Sequence, residues 1–569
     1  MSEHFDAVVI GSGFGGSVMA YRLAEAGMSV CLMERGKAYP AGSFPRSPLG
    51  MSRNLWDPSA GYHGLFDIWS FQHMAAVVSS GLGGGSLIYA NVLIRKPEEW
   101  FIKDCKPGEV YEVWPVDRAD LDPHYDTVTK ILTPSPYPFD ISPYKNTSKT
   151  RALKMAAEKL KVDWWLPDLA VTFSSTPGAP PVPGAPIVDE YPNLHGSPRS
   201  TCRLCGECDI GCNYGSKNTL DYNYLSLAKI KGADIRTGHE VRSFAPMDGG
   251  GYRIEYVVHM PENEGMPIDT HALPVQSITA TRLILSAGTM GSTYLLLKNR
   301  AHFPGISKCL GSNFCGNGDL IAFAFNATEK TKDGKKPRLI NGSHGPVITS
   351  TTRFPDEHDG AHPRGFYIQD AGYPEFVNWL IESAPTGAEA MRILRFLGGR
   401  LKSWLTDDPQ SEMGSEVRNL IGPCTTSSTS MPLLGMGCDK PDGVFSLRSD
   451  GKGSEYLELD WTDVKARKYY DNITGKAEQI AEAIGAEFDA YPLQRLHQFI
   501  AAHPLGGCPM AYDAEHGVVD SYGRVFGYDG LYVADGSVMP GPVGPNPSLT
   551  IAALANRFAE QIINDRNSP

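Results

Sequence analysis

The sequence predicts an α/β fold, α+β when the whole chain is counted, and three observations carry that expectation. The apolar run Ala7-Val8-Val9-Ile10 leads straight into a glycine-rich turn and then a helical pattern, the order found in a parallel sheet covered on both faces. A second apolar run, Ser29 to Met33, follows Gly27 and ends at Glu34. Much later, Val444-Phe445-Ser446-Leu447 and Tyr456-Leu457-Glu458-Leu459, inside Asp439 to Trp461, read as the two arms of an antiparallel hairpin.

Taken in order, each element has a chemical reason. Gly11, Gly13 and Gly16 form G-x-G-x-x-G around Phe14 and Gly15. Gly11 allows the tight turn, Gly13 lets the backbone approach a pyrophosphate, and Gly16 lets helix and strand pack closely. Val18, Met19, Leu23 and Ala26 then fall at helical spacing, which puts the free N–H groups of a helix start against that pyrophosphate. Glu34 stands 18 residues after Gly16, close to the ~20 expected of a ribose-binding carboxylate, and its charge opposes a 2′-phosphate. Strand, glycines, helix, strand and acid in this order predict a bound dinucleotide.

Ser79 to Leu87 is a second glycine-rich loop, containing Gly81, Gly85 and Ser86, able to bring backbone N–H groups to a flat ring or a second phosphate segment. Ser175 to Pro186 holds five prolines and predicts a surface loop or extended linker. Cys202, Cys205, Cys208 and Cys212 have the spacing C-x₂-C-x₂-C-x₃-C of the bacterial ferredoxin ligand run, with Asn213 where that run has proline. Three readings are open: an iron–sulfur cluster completed by Cys212 or a remote cysteine, a zinc site, or reduced cysteines or one disulfide supporting Gly215 to Leu220. Zinc sites normally separate their ligand pairs by a longer stretch. From Tyr373 to Trp404, Phe376, Trp379, Leu380, Ile393, Leu394 and Leu397 form apolar stripes at helical spacing beside Arg392, Arg395, Arg400 and Lys402. Such a pair of helices either faces the core or makes transient contact with a membrane surface. Residues 464 to 485 predict a helix, with Ile473, Ile480 and Ile484 on one face. Near the end, Asp529 to Ser537 is a turn, a strand and an acid at its tip (Asp535, then Gly536), and a helical run starts at Thr550. This return suits a cofactor long enough to touch both ends of the chain.

Composition narrows the classes. A chain of 569 residues, 41% apolar, can bury a large core without disulfide or metal. Its 60 glycines and 43 prolines point to many tight turns and long connections. With 52 basic and 64 acidic residues and a net charge of −12, the surface repels phosphate backbones, so nucleic-acid binding is not expected. No run approaches the ~18 consecutive apolar residues of a membrane span. Phe5 to Ile10 is already a strand where an export signal would stand. Eleven cysteines, seven of them scattered, suit a reduced compartment; the expected location is cytoplasmic, peripheral to the membrane if the basic stripes touch lipid.

The N-terminal fingerprint, Gly81 to Asn91, Ser286 to Ser292 and His503 to Arg557 resemble the glucose–methanol–choline (GMC) flavoprotein oxidoreductases and, within them, the bacterial cholesterol oxidases with non-covalent FAD. The runs His503-Pro504-Leu505-Gly506-Gly507-Cys508 and Gly544-Pro545-Asn546-Pro547 are the most specific. The resemblance implies FAD and oxidation of an alcohol. It implies that Glu34 binds the adenosine ribose and the Val241 backbone meets the adenine. Gly85, Ser86, Tyr89 and the neighbouring Gly81 and Asn91 would follow the isoalloxazine and ribityl, with Asp535 and Gly536 near the ribityl or pyrophosphate. Some GMC members attach FAD through a histidine in the second glycine loop. None lies between Gly81 and Val92 here, which implies a non-covalent flavin.

His503 would contact the substrate hydroxyl as base or orienter, a task suited to a group titrating near neutrality, with Asn546 as partner to the substrate oxygen and the flavin edge. Cholesterol oxidases also use a glutamate to move the steroid double bond; Gln369 stands at that position, so isomerisation is in doubt unless Asp370 or Glu375 substitutes. The family pattern interleaves an FAD-binding domain (1–45, 75–100, 200–310, 490–569) with a substrate-binding domain (46–74, 101–199, 311–489) on an antiparallel sheet that includes the hairpin. The expected substrate is a bulky hydrophobic alcohol, foremost a 3β-hydroxysteroid, with oxygen or another electron acceptor. The alternatives are a dehydrogenase of a long-chain alcohol or sugar that passes electrons to quinone or a protein, and a non-catalytic redox flavoprotein.

Overall fold

In the computed structural model, which describes residues 3–104, 110–260, 264–355, 365–374, 425–449, 455–462, 466–489 and 499–567, strand His4–Ile10 lies mid-sheet. It is flanked on both sides by parallel neighbours, Val30–Glu34 and Gln276–Leu285. Its apolar run is what such a position requires: Ala7, Val8 and Val9 are fully buried. Asp234–Thr237 adds to the far side of Val30–Glu34, and Leu531–Val533 to the end of Gln276–Leu285, both parallel. The first half of Gln276–Leu285 pairs instead with Tyr252–Val258, which pairs in turn with His239–Pro246, both antiparallel, completing a seven-stranded sheet.

The parallel strands therefore end along one edge, at Ile10, Glu34, Thr237, Leu285 and Val533. The segments that follow them, Gly11, Gly36, Gly238, Ser286-Ala287 and Ala534-Asp535, form a rim beyond the carboxyl ends, where open α/β sheets bind ligands. Helices Phe14–Glu25, Tyr224–Ile230, Arg118–Leu132 and Ser548–Asn567 cover the sheet, and their apolar faces join one core with it. A Cβ on Gly15 would lie 1.5 Å from the carbonyl oxygen of Ala534, and one on Gly16 2.0 Å from that of Gly11. Close packing at the helix start accounts for both residues.

A second sheet is wholly antiparallel and six-stranded: Glu487–Asp489, Leu320–Phe325, Met431–Gly437, Phe366–Asp370, Thr351–Phe354 and Asp163–Trp165, in that order across it. Helices Ser148–Leu160 and Arg467–Ile484 pack on it, and the stripe Ile473, Ile480 and Ile484 is fully buried there, as the spacing predicts.

The hairpin Val444–Ser449/Glu455–Asp460 forms with the expected pairing but does not belong to this sheet. It stands alone, because Phe445, Leu457 and Leu459 pack with Trp461 against Met290 and Phe314. An apolar face of that size is satisfied by a helix as well as by a strand. Residues 175–186 are irregular, as their prolines require. Of Tyr373 to Trp404, everything beyond Pro374 lies outside the described residues, so the amphipathic pair and its membrane contact do too. Among the described residues no helix is long and apolar enough to cross a membrane.

Candidate active site

The rim is knitted together by Ser12, the second residue of the glycine motif. Its hydroxyl donates to Glu34 Oε2 at 2.6 Å and accepts from the Gly83 N–H at 3.0 Å, so one side chain links both glycine loops to the acid. The Ser12 and Gly36 N–H groups also donate to Glu34, at 3.2 and 2.9 Å. Burial raises the Glu34 carboxyl above its usual range, and these donors oppose the shift. A carboxylate has about four acceptor positions, so three donors leave one for a ribose hydroxyl.

The loops touch at Gly84, where a Cβ would lie 2.6 Å from Gly13 Cα, and open on either side: a Cβ on Gly13 or Gly85 would meet nothing within 4 Å. Phe14 lies edge-on to Tyr89 at 5.3 Å. Ser86 is turned inward, its hydroxyl donating to Gly83 O and accepting from the Leu220 N–H. Asp535 accepts from the Gly288 N–H (2.9 Å), Ser292 and the Ser537 N–H and hydroxyl, tying the start of helix Gly288–Lys298 to the turn Gly536–Val538. Burial raises its carboxyl too. Val241 is buried in His239–Pro246 at a bulge, just past the rim residue Gly238. Three buried polar atoms beside the second loop, the Tyr89 hydroxyl and both amide atoms of Asn91, have no partner among the described residues. Groups of this kind call for a ligand. A flavin dinucleotide, with ring carbonyls, a ring N–H and ribityl hydroxyls, supplies what they lack, so the residues fit FAD.

His503 is held by a residue that sequence reasoning missed. Asp319, with no exposed side-chain surface, accepts from His503 Nδ1 at 2.7 Å and from the N–H groups of Ala502 and His503 at 2.7 and 2.8 Å. A carboxylate only accepts, so Nδ1 carries the proton and Nε2 is the nitrogen left for a substrate. Asn546 is buried, and its Oδ1 accepts from Gln369 Nε2 at 2.9 Å, which leaves its own N–H₂ group as the donor to offer. The return contact to Gln369 Oε1 is long, at 3.5 Å.

One strip of backbone carries both halves. Asn313 donates to Tyr111 O and Pro540 O, and Cys315 and Leu505 exchange backbone bonds. Asn317 donates to Gly544 O and Pro545 O at 3.2 Å and accepts from the Gly544 N–H at 2.8 Å. Buried Lys96 secures the next carbonyls, donating to Pro542 O at 2.8 Å. Residues 313–319 look like an ordinary polar, glycine-containing loop, and no spacing ties Asp319 to a histidine 184 positions away. Alternation along Phe366–Asp370 sends Gln369 to Asn546 but Asp370 to the other face, where it accepts from the Thr349 and Ser350 N–H groups and the Thr349 hydroxyl. Asp370 therefore does not replace the isomerising glutamate; Glu375 lies outside the described residues.

Cys202, Cys205, Cys208 and Cys212 are all free thiols and line one pocket with Lys217. The disulfide reading is not what forms. Among the described residues no group of three or more His, Cys, Asp or Glu side chains is arranged to hold a single metal ion.

Comparison with known proteins agrees with this geometry. Residues 452–555 match the GMC oxidoreductase model and residues 9–47 a NAD(P)-binding Rossmann-like domain. The chain is 30% identical to a cholesterol oxidase of Mycobacterium tuberculosis, covering 98% of this chain and 91% of that one. It is 39% identical to an uncharacterised GMC-type oxidoreductase of Sinorhizobium fredii, covering 98% and 94%. Among solved structures, pyridoxine 4-oxidase from Mesorbium loti superposes with a TM-score of 0.54 at 16% identity over 98% of each chain, a likeness of fold. The chain belongs to the GMC oxidoreductases and is an FAD-dependent enzyme acting on CH–OH donors.

Proposed function

We propose that the enzyme oxidises the secondary hydroxyl of a bulky hydrophobic alcohol, foremost a 3β-hydroxysteroid, with FAD held non-covalently. The observation that carries this reading is the arrangement of Asp319, His503, Asn546 and Gln369. A basic ring nitrogen is aimed by a buried carboxylate, and an amide donor is aimed by a second amide. Bound FAD supplies a hydride acceptor. The chain supplies the rest: His503 Nε2 takes the hydroxyl proton as the C–H bond breaks, and Asp319 stabilises the imidazolium that forms. The Asn546 N–H₂ group holds the substrate oxygen in line. The second glycine loop, Gly81 to Val92, holds no histidine, the residue through which some GMC members attach FAD, and this supports a non-covalent flavin. The steroid itself is favoured by the cholesterol oxidase relative.

Anaerobic addition of cholesterol to the flavin-loaded protein tests this. Bleaching of the visible flavin band, slowed about 10²–10⁴-fold in His503→Ala, is the expected result. No bleaching with any 3β-hydroxysteroid would remove the steroid from the reading and leave long-chain alcohols or sugars as candidates. Because Gln369 cannot shuttle a proton between carbons, the product is expected to keep its original double bond and to lack the ultraviolet band of a conjugated ketone; appearance of that band, lost in Glu375→Gln, would instead assign the shuttle to Glu375.

A further inference from the structure

The four-cysteine loop takes no part in the alcohol chemistry, yet it packs against the flavin loop. We propose that Cys202, Cys205, Cys208 and Cys212 ligate a cubane iron–sulfur cluster that carries electrons from the flavin side to an external one-electron acceptor. Four observations support it. First, all four residues line one pocket, while the other described cysteines, Cys31, Cys309, Cys315, Cys438 and Cys508, lie elsewhere. Cys212 therefore completes the set without a remote partner. Among the described residues no three such side chains are grouped to hold a single ion; a cluster instead seats each cysteine on its own iron around a metal–sulfide core.

Second, a backbone N–H is turned toward the quartet: Leu204 donates to Cys202 Sγ at 3.5 Å. Left-handed backbone at Leu204 (φ +62°) and Gly206 (φ +68°) produces this inward turn, the kind of N–H concavity that holds anions and iron–sulfur centres. Third, Lys149 and Lys217 are buried beside the quartet, and their ammonium groups bond only carbonyls: Pro346 and Val347 for Lys149, Leu87 and Cys208 for Lys217. Neither has a carboxylate within ion-pair distance among the described residues. Asp209, inside the quartet, also faces both lysines, so two buried cations stand beside one carboxylate and four thiols, a charge balance that accommodates a negatively charged four-thiolate cluster.

Fourth, Lys217 Nζ bridges Leu87 O of the second glycine loop (3.1 Å) and Cys208 O (2.9 Å), and lies 4.8 Å from the Tyr89 ring centroid. The quartet thus adjoins the loop assigned to the isoalloxazine. Each alcohol oxidised to a ketone releases two electrons and two protons. The cluster passes the electrons singly, one iron equivalent changing from ferric to ferrous and back at each pass. Two passes reduce two one-electron redox proteins, both protons leaving to solvent, or one quinone, which takes up two electrons and two protons to become a quinol. This path, though not the ligation, rests on the alcohol-oxidising reading.

The full chain, expressed and purified anaerobically, is tested by its iron and acid-labile sulfide content and by its electron paramagnetic resonance after dithionite reduction. The expected result is about four iron and four sulfide per chain and a reduced-cluster signal. Both should be lost in Cys205→Ala/Cys208→Ala while the flavin content is kept. Wild-type protein that stays iron-free even after reconstitution with ferrous iron and sulfide would overturn the proposal, as would zinc in the site. Iron retained in the double variant would also overturn it. If that variant does not fold, the wild-type content decides. A cluster-containing protein that no alcohol reduces would refute the alcohol reading alone.

Discussion

Asp319 illustrates what a single buried carboxylate can decide. It receives three donors, two from the backbone and one from His503 Nδ1, so it sets both the position of the ring and its tautomer. Asp319→Asn keeps the shape but can donate to Nδ1, which favours the tautomer with the proton on Nε2. Flavin reduction at saturating alcohol is expected to slow about 10²–10⁴-fold and to change its pH profile, with little change in flavin content; stopped-flow measurement across pH checks this. Gln369→Glu at the neighbouring position would supply the missing proton shuttle beside Asn546. Conjugated ketone is expected to appear in the product, and its ultraviolet absorbance reports the change.

At the scale of elements, the first glycine motif separates packing from ligand contact. Gly15 and Gly16 are enclosed by the carbonyls of Ala534 and Gly11, whereas Gly13 faces open space at the contact with the second loop. Gly15→Ala must push two chain segments apart and is expected to cost about 3 kcal/mol or more. Gly13→Ala should leave the fold intact and weaken flavin retention. Thermal melting of the apoprotein compared with flavin content after dialysis distinguishes the two. The strip 313–319 is a second such element. Asn317→Ala frees Gly544 and Pro545 on one side while Asp319 still holds His503 on the other, so the expected loss falls on substrate orientation through Asn546. A steady-state comparison of kcat and KM for Asn317→Ala and Asp319→Asn measures that separation.

Across the whole molecule, the proposed flavin site would draw on segments from both ends of the chain and from two stretches between: residues 11–16, 34–36, 81–91 and 535–536. A ligand that binds only the assembled site stabilises it, by about 2.7 kcal/mol when free ligand is a hundredfold above its Kd. Removal of FAD is therefore expected to lower the melting temperature, and titration of FAD back to restore it in step with flavin fluorescence quenching. A melting temperature indifferent to FAD would argue that the loops close without it.

The sequence by itself determined the dinucleotide half: strand, glycines, helix and acid are local, and local spacing dictates local structure. It also determined the cysteine spacing and the stripe on helix Arg467–Ile484, and it singled out His503 and Asn546 as candidates. Only the tertiary structure decided what holds those two residues, since Asp319 and Gln369 reach them across 184 and 177 positions through side-chain hydrogen bonds that leave no periodic trace. It also decided that the 444–460 hairpin packs as a separate two-stranded unit, because pairing is written in the alternation of a strand but the partner of its apolar face is not. The neighbourhood of the quartet was illegible for the same reason: a buried lysine bridging Leu87 and Cys208 becomes visible only once distant loops have met.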